Sequence, residues 1–320
     1  MEMVPFGHTG LMVSRLSVGG GAAFFENTPE VSSRILDTSW EAGVRYFDTS
    51  PLYGNGLSER RFGETLAHRP REEFVLSTKV GHYVRSGKPP HHPSCYDYSA
   101  EGVKRSVEQS LDRLNLDRID MVFIHDLVEE FIGADFERRY EEAMTGAYPV
   151  LRQLRDAGKI RAIGAAVKDW RICLRLARDA QFDCFLLAAD YTFLRNESLK
   201  EFLPYCEKHG IPVIAAAPFA MGLLATGVVP GASYFFKPPP PDVAAKTRQI
   251  EAVCARHGVP LAQASLQFPL FHPAVVSVLI GAGSPAELEQ DVAYLRTPTP
   301  PGFWAELKEN ELIPAEAPTP

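Results

Sequence analysis

The feature that most restricts this chain is a repeated alternation. Short apolar runs recur at residues 16–19, 44–48, 74–79, 120–125, 160–167, 184–189, 211–216 and 275–280, and most are followed by a stretch with helical spacing. Unbroken apolar runs of this kind fit strands buried on both faces. Strand and helix in alternation predict a parallel sheet. Eight such units in 320 residues predict an α/β fold of the (β/α)8 TIM-barrel class, for which ~250 residues plus insertions is typical.

The helical stretches are read at 29–42, 58–68, 100–115, 141–157, 169–180, 196–209, 242–257, 261–270 and 285–295. Ser99 is a plausible N-cap, and Gly158 and Gly210 are helix stops. Residues 1–14, with Gly7, Thr9 and Gly10 among apolar neighbours, predict an N-terminal β-hairpin. Long loops are expected after strands three, four and seven. The last holds Pro238 to Pro241, which no helix or strand interior would tolerate. With no repeat and no interdomain linker, one domain over 1–320 is expected.

A net charge of −7 argues against nucleic acid as a partner. Five scattered cysteines without a CxxC fit a reducing compartment. No basic-then-apolar leader is present and no apolar run approaches the ~20 residues that span a bilayer. A cytoplasmic location without a membrane partner is expected. His91, His92 and Cys95 match no zinc-binding pattern, so no metal is assigned.

In a barrel, chemistry gathers where strands end. Strand two ends at Asp48 with Tyr53 just beyond, strand three at Lys79 and strand four at His125. Each alone reads as a solvated strand end. Together, on successive strands, they bring an acid, a phenol, an amine and an imidazole to one rim. A phenol with a pKa near ~10 is a poor proton carrier at neutral pH. A neighbouring ammonium lowers it, Asp48 can hold that ammonium, and His125 can orient a substrate oxygen. Such a set suits proton transfer at an alcohol or carbonyl oxygen while hydride moves at the adjacent carbon. Strand eight runs into Gly281-Ala282-Gly283-Ser284, a helix start with small residues, a cap and free amides that can receive a phosphate.

Asp48, Tyr53, Lys79 and His125 resemble the catalytic tetrad of the aldo-keto reductases in order, spacing and strand position. The resemblance covers nearly the whole chain. Residues 47–61, 116–120 and 218–227 carry it towards the NAD-dependent sugar dehydrogenase branch, with pyridoxal 4-dehydrogenase among the relatives. It implies that Tyr53 is the general acid/base, that Lys79 and Asp48 tune it, and that His125 positions substrate. It also implies a cofactor site at Asp48, Lys168, Asp190, Phe219, Gly222, Leu223, Gly281, Gly283, Ser284, Glu287 and Asp291. NADP-using members often carry basic groups here; this chain has Gly281 and Gly283 where such groups could stand, and the carboxylates Glu287 and Asp291 on the helix, so NAD is expected over NADP.

Three positions depart from the family. Lys168 replaces the polar group usual after strand five, Asp190 the Gln or Arg after strand six, and Ala216 the stacking Tyr after strand seven. An ion pair between Lys168 and Asp190, or two exposed side chains, are the alternatives there. Phe24, Phe25, Trp170 and the loops at 82–98 and after His125 are expected to wall the substrate, a small molecule. The expected reaction is oxidation of an aldose at C1 to a lactone. Reduction of a small aldehyde or ketone, pyridoxal oxidation, and a nucleotide-binding regulatory barrel are the alternatives.

Overall fold

A computed structural model describes residues 1–83 and 95–320. Strands β1 (Met3–Pro5) and β2 (Met12–Ser14) form an antiparallel hairpin. Then come β3 (Leu16–Gly19), β4 (Tyr46–Asp48), β5 (Val75–His82), β6 (Tyr96–Asp97), β7 (Met121–His125), β8 (Ala162–Val167), β9 (Cys184–Ala188), β10 (Val213–Ala216) and β11 (Val275–Ile280). The parallel order is β4-β3-β11-β10-β9-β8-β7-β5, and a β4–β5 pairing closes it into an eight-stranded barrel. The short β6 pairs antiparallel with the end of β5, Gly81 opposite Asp97.

Side chains alternate along each strand, so one parity faces the barrel interior. Tyr46, Val75, Met121, Phe123, Cys184 and Leu279 belong to that interior cluster. Phe6, Leu11 and Val13 of the hairpin region pack into the same cluster, which closes the barrel floor. Gly164 matters here: a Cβ on it would lie 2.4 Å from the Phe123 ring. The opposite parity of the strands packs against the helices in the larger core.

The same alternation sets the site. From Tyr46 the inward parity reaches Asp48. From Val75 it reaches Ser77 and Lys79. From Met121 it passes Phe123 and reaches His125.

Several sequence-level boundaries are corrected. The expected loop after His125 is largely helical, with Glu129–Ile132 and Phe136–Glu142 ahead of a π-turn at Ala143–Ala147 and a helix at Tyr148–Asp156. Pro149 has no N–H for the preceding turn, and the wide turn just before it accommodates that loss. The expected helix at 196–209 starts at Phe202, because Pro204 is tolerated only in a first turn. Pro241 begins the helix Pro241–His257 as its first residue, where a missing N–H costs nothing. The tail also holds a helix, Pro301–Glu309, which buries Phe303, Trp304 and Leu307. His91 and His92 lie outside the described residues. Among the described residues, no helix is long and apolar enough to cross a membrane.

Candidate active site

Asp48, Lys79 and His125 converge at the rim. Lys79 Nζ donates to Asp48 Oδ2 at 2.5 Å and to the Thr49 carbonyl at 2.7 Å, and both charged side chains are 1% exposed. Ser77 Oγ donates to the other Asp48 oxygen at 2.6 Å. A buried ion pair is tolerable only when its remaining hydrogen-bonding groups are also satisfied, and these contacts supply that. Burial works against the Lys79 charge, but Asp48 and Tyr53 outweigh it and hold the ammonium above its ordinary pKa. Burial pushes the Asp48 carboxyl up, while Lys79 and Ser77 pull it back. Lys79 therefore keeps its proton, and its short contact to Asp48 Oδ2 is that of an ammonium with a carboxylate.

Tyr53 sits on the turn after β4, pinned by Tyr53 N–H to the Ser50 carbonyl and Ser58 N–H to the Tyr53 carbonyl. Gly54, Asn55 and Gly56 all have left-handed φ (60°, 52° and 84°), which folds the turn back on the rim. Lys79 Nζ lies 4.7 Å from the Tyr53 ring centroid, and the His125 ring meets it edge-on at 5.9 Å. Burial raises the phenol pKa. Lys79 pulls it down, and Asp48 and Asp126 add to the rise. The residue as a whole is only half-buried; the hydroxyl is the part that faces the interior charges, so its desolvation governs. The expectation that Lys79 leaves the phenol with a lowered pKa is corrected: in the free site the phenol stays neutral.

Tyr98 Oη donates to the His125 carbonyl at 2.7 Å, and Ser50 Oγ lies 3.3 Å from His125 Nδ1. His125 Nε2 thus points away from Ser50, towards Asp126, whose Oδ2 is 3.5 Å away. Phe25 is half-buried beside the Tyr53 turn, close to Gly54.

Other expected positions differ. Asp190 is fully buried, accepts the Trp170 backbone N–H at 2.8 Å and pairs with Arg195 at 2.8 Å. Burial pushes its pKa up to about 6 against the pull of Arg195. Inward parity on β9 passes through Leu186 and Ala188, but Ala189 has φ 52° and turns the chain before Asp190. Lys168 pairs with Glu130 at 2.8 Å and lies 3.9 Å over the Phe131 ring. Neither the Lys168–Asp190 ion pair nor two exposed side chains is found. Trp170 is a buried core residue with Arg171 over its ring, and Phe24 is buried against Phe62. Neither stands open on the rim as a substrate wall would.

At the end of β11, Ser284 caps the helix Pro285–Arg296 by accepting from Glu287 N–H at 3.2 Å. Glu287 Oε2 in turn accepts from Gly283 N–H at 2.8 Å. This is a variant of the capping box in which the Glu reaches the amide one residue before the cap. A methyl group on Gly281 would come no closer than 3.8 Å to its nearest neighbour, and one on Gly222 no closer than 3.9 Å. The turn at Phe219, Gly222 and Leu223 and the turn at Gly281 therefore present open backbone faces, which fit the flat parts of a dinucleotide. Asp291, one turn beyond Glu287, is buried, and burial with the Glu287 charge pushes its pKa up to about 7.

Two residues at this rim were missed by the sequence reading. His82 Nε2 lies 3.4 Å from Asp126 Oδ2, and His82, His125 and Asp126 bring their polar atoms within 4.8 Å of one another. Strict alternation from Lys79 would turn His82 away. Gly81, at φ 107° with the Tyr98 ring where a Cβ would stand, reverses the strand there. Asp126, at φ 51°, is turned back in the same way.

The model of the "Aldo/keto reductase family" matches residues 15–311. Pyridoxal 4-dehydrogenase of Microbacterium luteolum is 35% identical, over 98% of this chain and 98% of its own. D-threo-aldose 1-dehydrogenase of a Pseudomonas species is 34% identical, over 95% of this chain and 96% of its own. An aldo-keto reductase of Bacillus halodurans, solved in its holo form, superposes with a TM-score of 0.80 at 24% identity, over 99% of this chain and 98% of that one, a likeness of fold. The chain belongs to the aldo/keto reductase family and is an oxidoreductase of small molecules that uses NAD(P)(H).

Proposed function

We propose that this chain is a single-domain, NAD-preferring dehydrogenase that oxidises the C1 hydroxyl of an aldose to give the lactone. The observation that carries the reading is the buried Lys79–Asp48 pair beside the Tyr53 ring, with His125 facing the same space. Relatives named for aldose and pyridoxal oxidation, at 34% and 35% identity, support the direction and the substrate class.

Tyr53 is the group that carries the proton. In oxidation its phenolate takes the hydroxyl proton of the substrate, and the C1–H pair leaves as hydride. The nicotinamide, when bound, supplies the hydride acceptor. The Lys79 charge stabilises the phenolate, and Asp48 keeps that charge fixed below it. His125 Nε2 holds the reacting oxygen beside the phenol, and Phe25 offers an apolar wall. Phe219, Gly222, Leu223, Gly281, Gly283 and Ser284 hold the nucleotide.

The preference for NAD rests on charge. Glu287 already occupies the Gly283 amide at the helix start, the position a 2′-phosphate would seek. Asp291 stands one turn further along. The Glu287 carboxylate opposes a phosphate and can accept from a ribose hydroxyl, while Asp291, its pKa pushed up to about 7, adds only part of a charge at neutral pH.

One observation favours the reverse reaction as a second reading: burial keeps the Tyr53 phenol protonated in the free site, the form that donates to a carbonyl oxygen. The test is NADH absorbance with a panel of aldoses, pyridoxal and small aldehydes, run with both cofactors. The proposal predicts aldose oxidation with a lower KM for NAD. An NADP preference sinks the cofactor assignment, and turnover confined to aldehyde reduction sinks the direction. Tyr53→Phe should lose roughly 10²-fold or more of kcat, as loss of a proton-transfer group does, with cofactor binding by fluorescence unchanged. Retained turnover refutes the role of Tyr53.

A further inference from the structure

We infer that the rim of this site is also a binding site for a borderline divalent transition-metal ion, Zn2+ being the best fitted, held by His82 Nε2, His125 Nε2 and Asp126 Oδ2. Two imidazoles and one carboxylate are the donor set of open, three-ligand zinc sites; oxygen-seeking Mg2+ and Ca2+ would not select it. The spacing fits. Bonds of about 2.0–2.1 Å in a tetrahedron place ligand atoms about 3.4 Å apart. His82 Nε2 and Asp126 Oδ2 are 3.4 Å apart, and His125 Nε2 and Asp126 Oδ2 are 3.5 Å apart. The three ligand-type atoms all lie within 4.8 Å of one another, so only the imidazole–imidazole edge has to close, by a small rotation about the side-chain bonds.

The site is built rather than a chance surface cluster. The side chains of His82, His125 and Asp126 are 2%, 7% and 14% exposed. Each ligand has a support. The left-handed backbone at Gly81 and Asp126 aims two of them inward, and Tyr98 Oη holds the His125 carbonyl at 2.7 Å. Ser50 Oγ, 3.3 Å from His125 Nδ1, can accept a hydrogen bond from Nδ1–H and so leave the lone pair on Nε2. A ligand histidine characteristically places its second nitrogen against such an acceptor. The five cysteines, which would otherwise compete for zinc, are all buried away from solvent. Zinc-finger-type patterns are local in the chain, whereas these three ligands come from the ends of two different strands.

An ion held there takes the His125 nitrogen that the proposed function assigns to the substrate oxygen. Binding therefore inhibits the enzyme reversibly and in competition with substrate. That consequence rests on the proposed function, whereas the binding itself rests on the geometry alone.

The experiment keeps the two apart. The full chain is titrated with ZnCl2 by calorimetry, and with CoCl2 by visible absorption, where a four-coordinate site gives an intense band. Turnover is then measured against Zn2+ with and without EDTA. The expected result is one ion per chain with a dissociation constant of about 10 µM or tighter, a value well within reach of metal–protein affinities. His82→Asn and the isosteric Asp126→Asn should each weaken it by roughly tenfold or more, with folding checked by near-UV circular dichroism. Inhibition, as the ratio of rates with and without Zn2+ for each variant against its own baseline, should weaken in parallel. Zn2+ affinity unchanged in both folded variants, or no binding by the full chain, overturns the site. Binding that both variants weaken but that leaves turnover untouched upholds the site and counts against the substrate-facing role of His125.

Discussion

Replacing Lys79 with Met tests the centre of the site most directly. The substitution keeps an unbranched side chain of similar length but removes the ammonium 2.5 Å from Asp48 Oδ2. Asp48 is then left 1% exposed, with Ser77 as its remaining side-chain donor. Removing one partner of a buried ion pair costs about 3–5 kcal/mol, because the other charge stays buried without compensation. At about 4 kcal/mol the folded-to-unfolded ratio falls roughly a thousandfold. The same principle predicts that Lys79→Met combined with Asp48→Asn is less damaging than Lys79→Met alone, since the stranded charge is gone. Urea unfolding at pH 7 of wild type, both single variants and the double variant gives the four free energies needed. The activity readout separates from stability. Lys79 is the main influence pulling the Tyr53 phenol down, so its loss drives the phenol further up. Oxidation by folded Lys79→Met should therefore need a higher pH than wild type. A loss below about 1 kcal/mol, the range of an exposed pair, with a double variant no better than the single, would show that the two groups do not form a compensated buried pair.

Three further outcomes follow from the same geometry. Because burial holds the Tyr53 pKa above its ordinary value, the phenolate is scarce at neutral pH; kcat/KM for oxidation should climb about tenfold per pH unit through the neutral range, whereas reduction should stay flat until the phenol ionises, and a flat oxidation profile would contradict this. Gly81→Ala places a Cβ 2.1 Å from the Tyr98 ring at φ 107°, so thermal unfolding should drop by several degrees, as expected for a loss above ~1 kcal/mol; an unchanged midpoint would deny that this turn is sterically fixed. Asp291 has its folded pKa pushed up to about 7, above the unfolded value of ~3.9. The stability it allows is complete below pH ~4 and is lost as pH rises towards 7. Asp291→Asn should thus stabilise the cofactor-free protein at pH 8, by at most about 4 kcal/mol for a three-unit shift, and should have little effect at pH 4; the reverse pattern would refute the assignment.

Much of this protein is legible in its sequence for a definite reason. A barrel strand alternates its faces strictly, so the polar residues that end strands two, three and four point inward whatever the loops do. Asp48, Lys79 and His125 are on the parity of Tyr46, Val75 and Met121, and the structure brings them together. The N-caps at Ser99 and Ser284 are equally local, since each side chain bonds an amide three residues ahead.

What the tertiary structure alone decided begins where that alternation breaks. Positive-φ residues redirect the chain at three strand ends, Gly81 within the last two residues of β5 and Asp126 and Ala189 just past β7 and β9. They turn His82 and Asp126 into the site and take Asp190 out of it, where it binds the Trp170 amide and Arg195. Lys168 likewise takes a partner, Glu130, from a short helix that local periodicity does not reveal. The charge state of Tyr53 belongs to this second group. Proximity of Lys79 predicts a lowered pKa, but how deeply the hydroxyl is buried depends on the whole rim, and burial outweighs the charge. Local periodicity places a residue on a face. Desolvation and ion pairing depend on what other segments bring to that face, and they exist only once the barrel has closed.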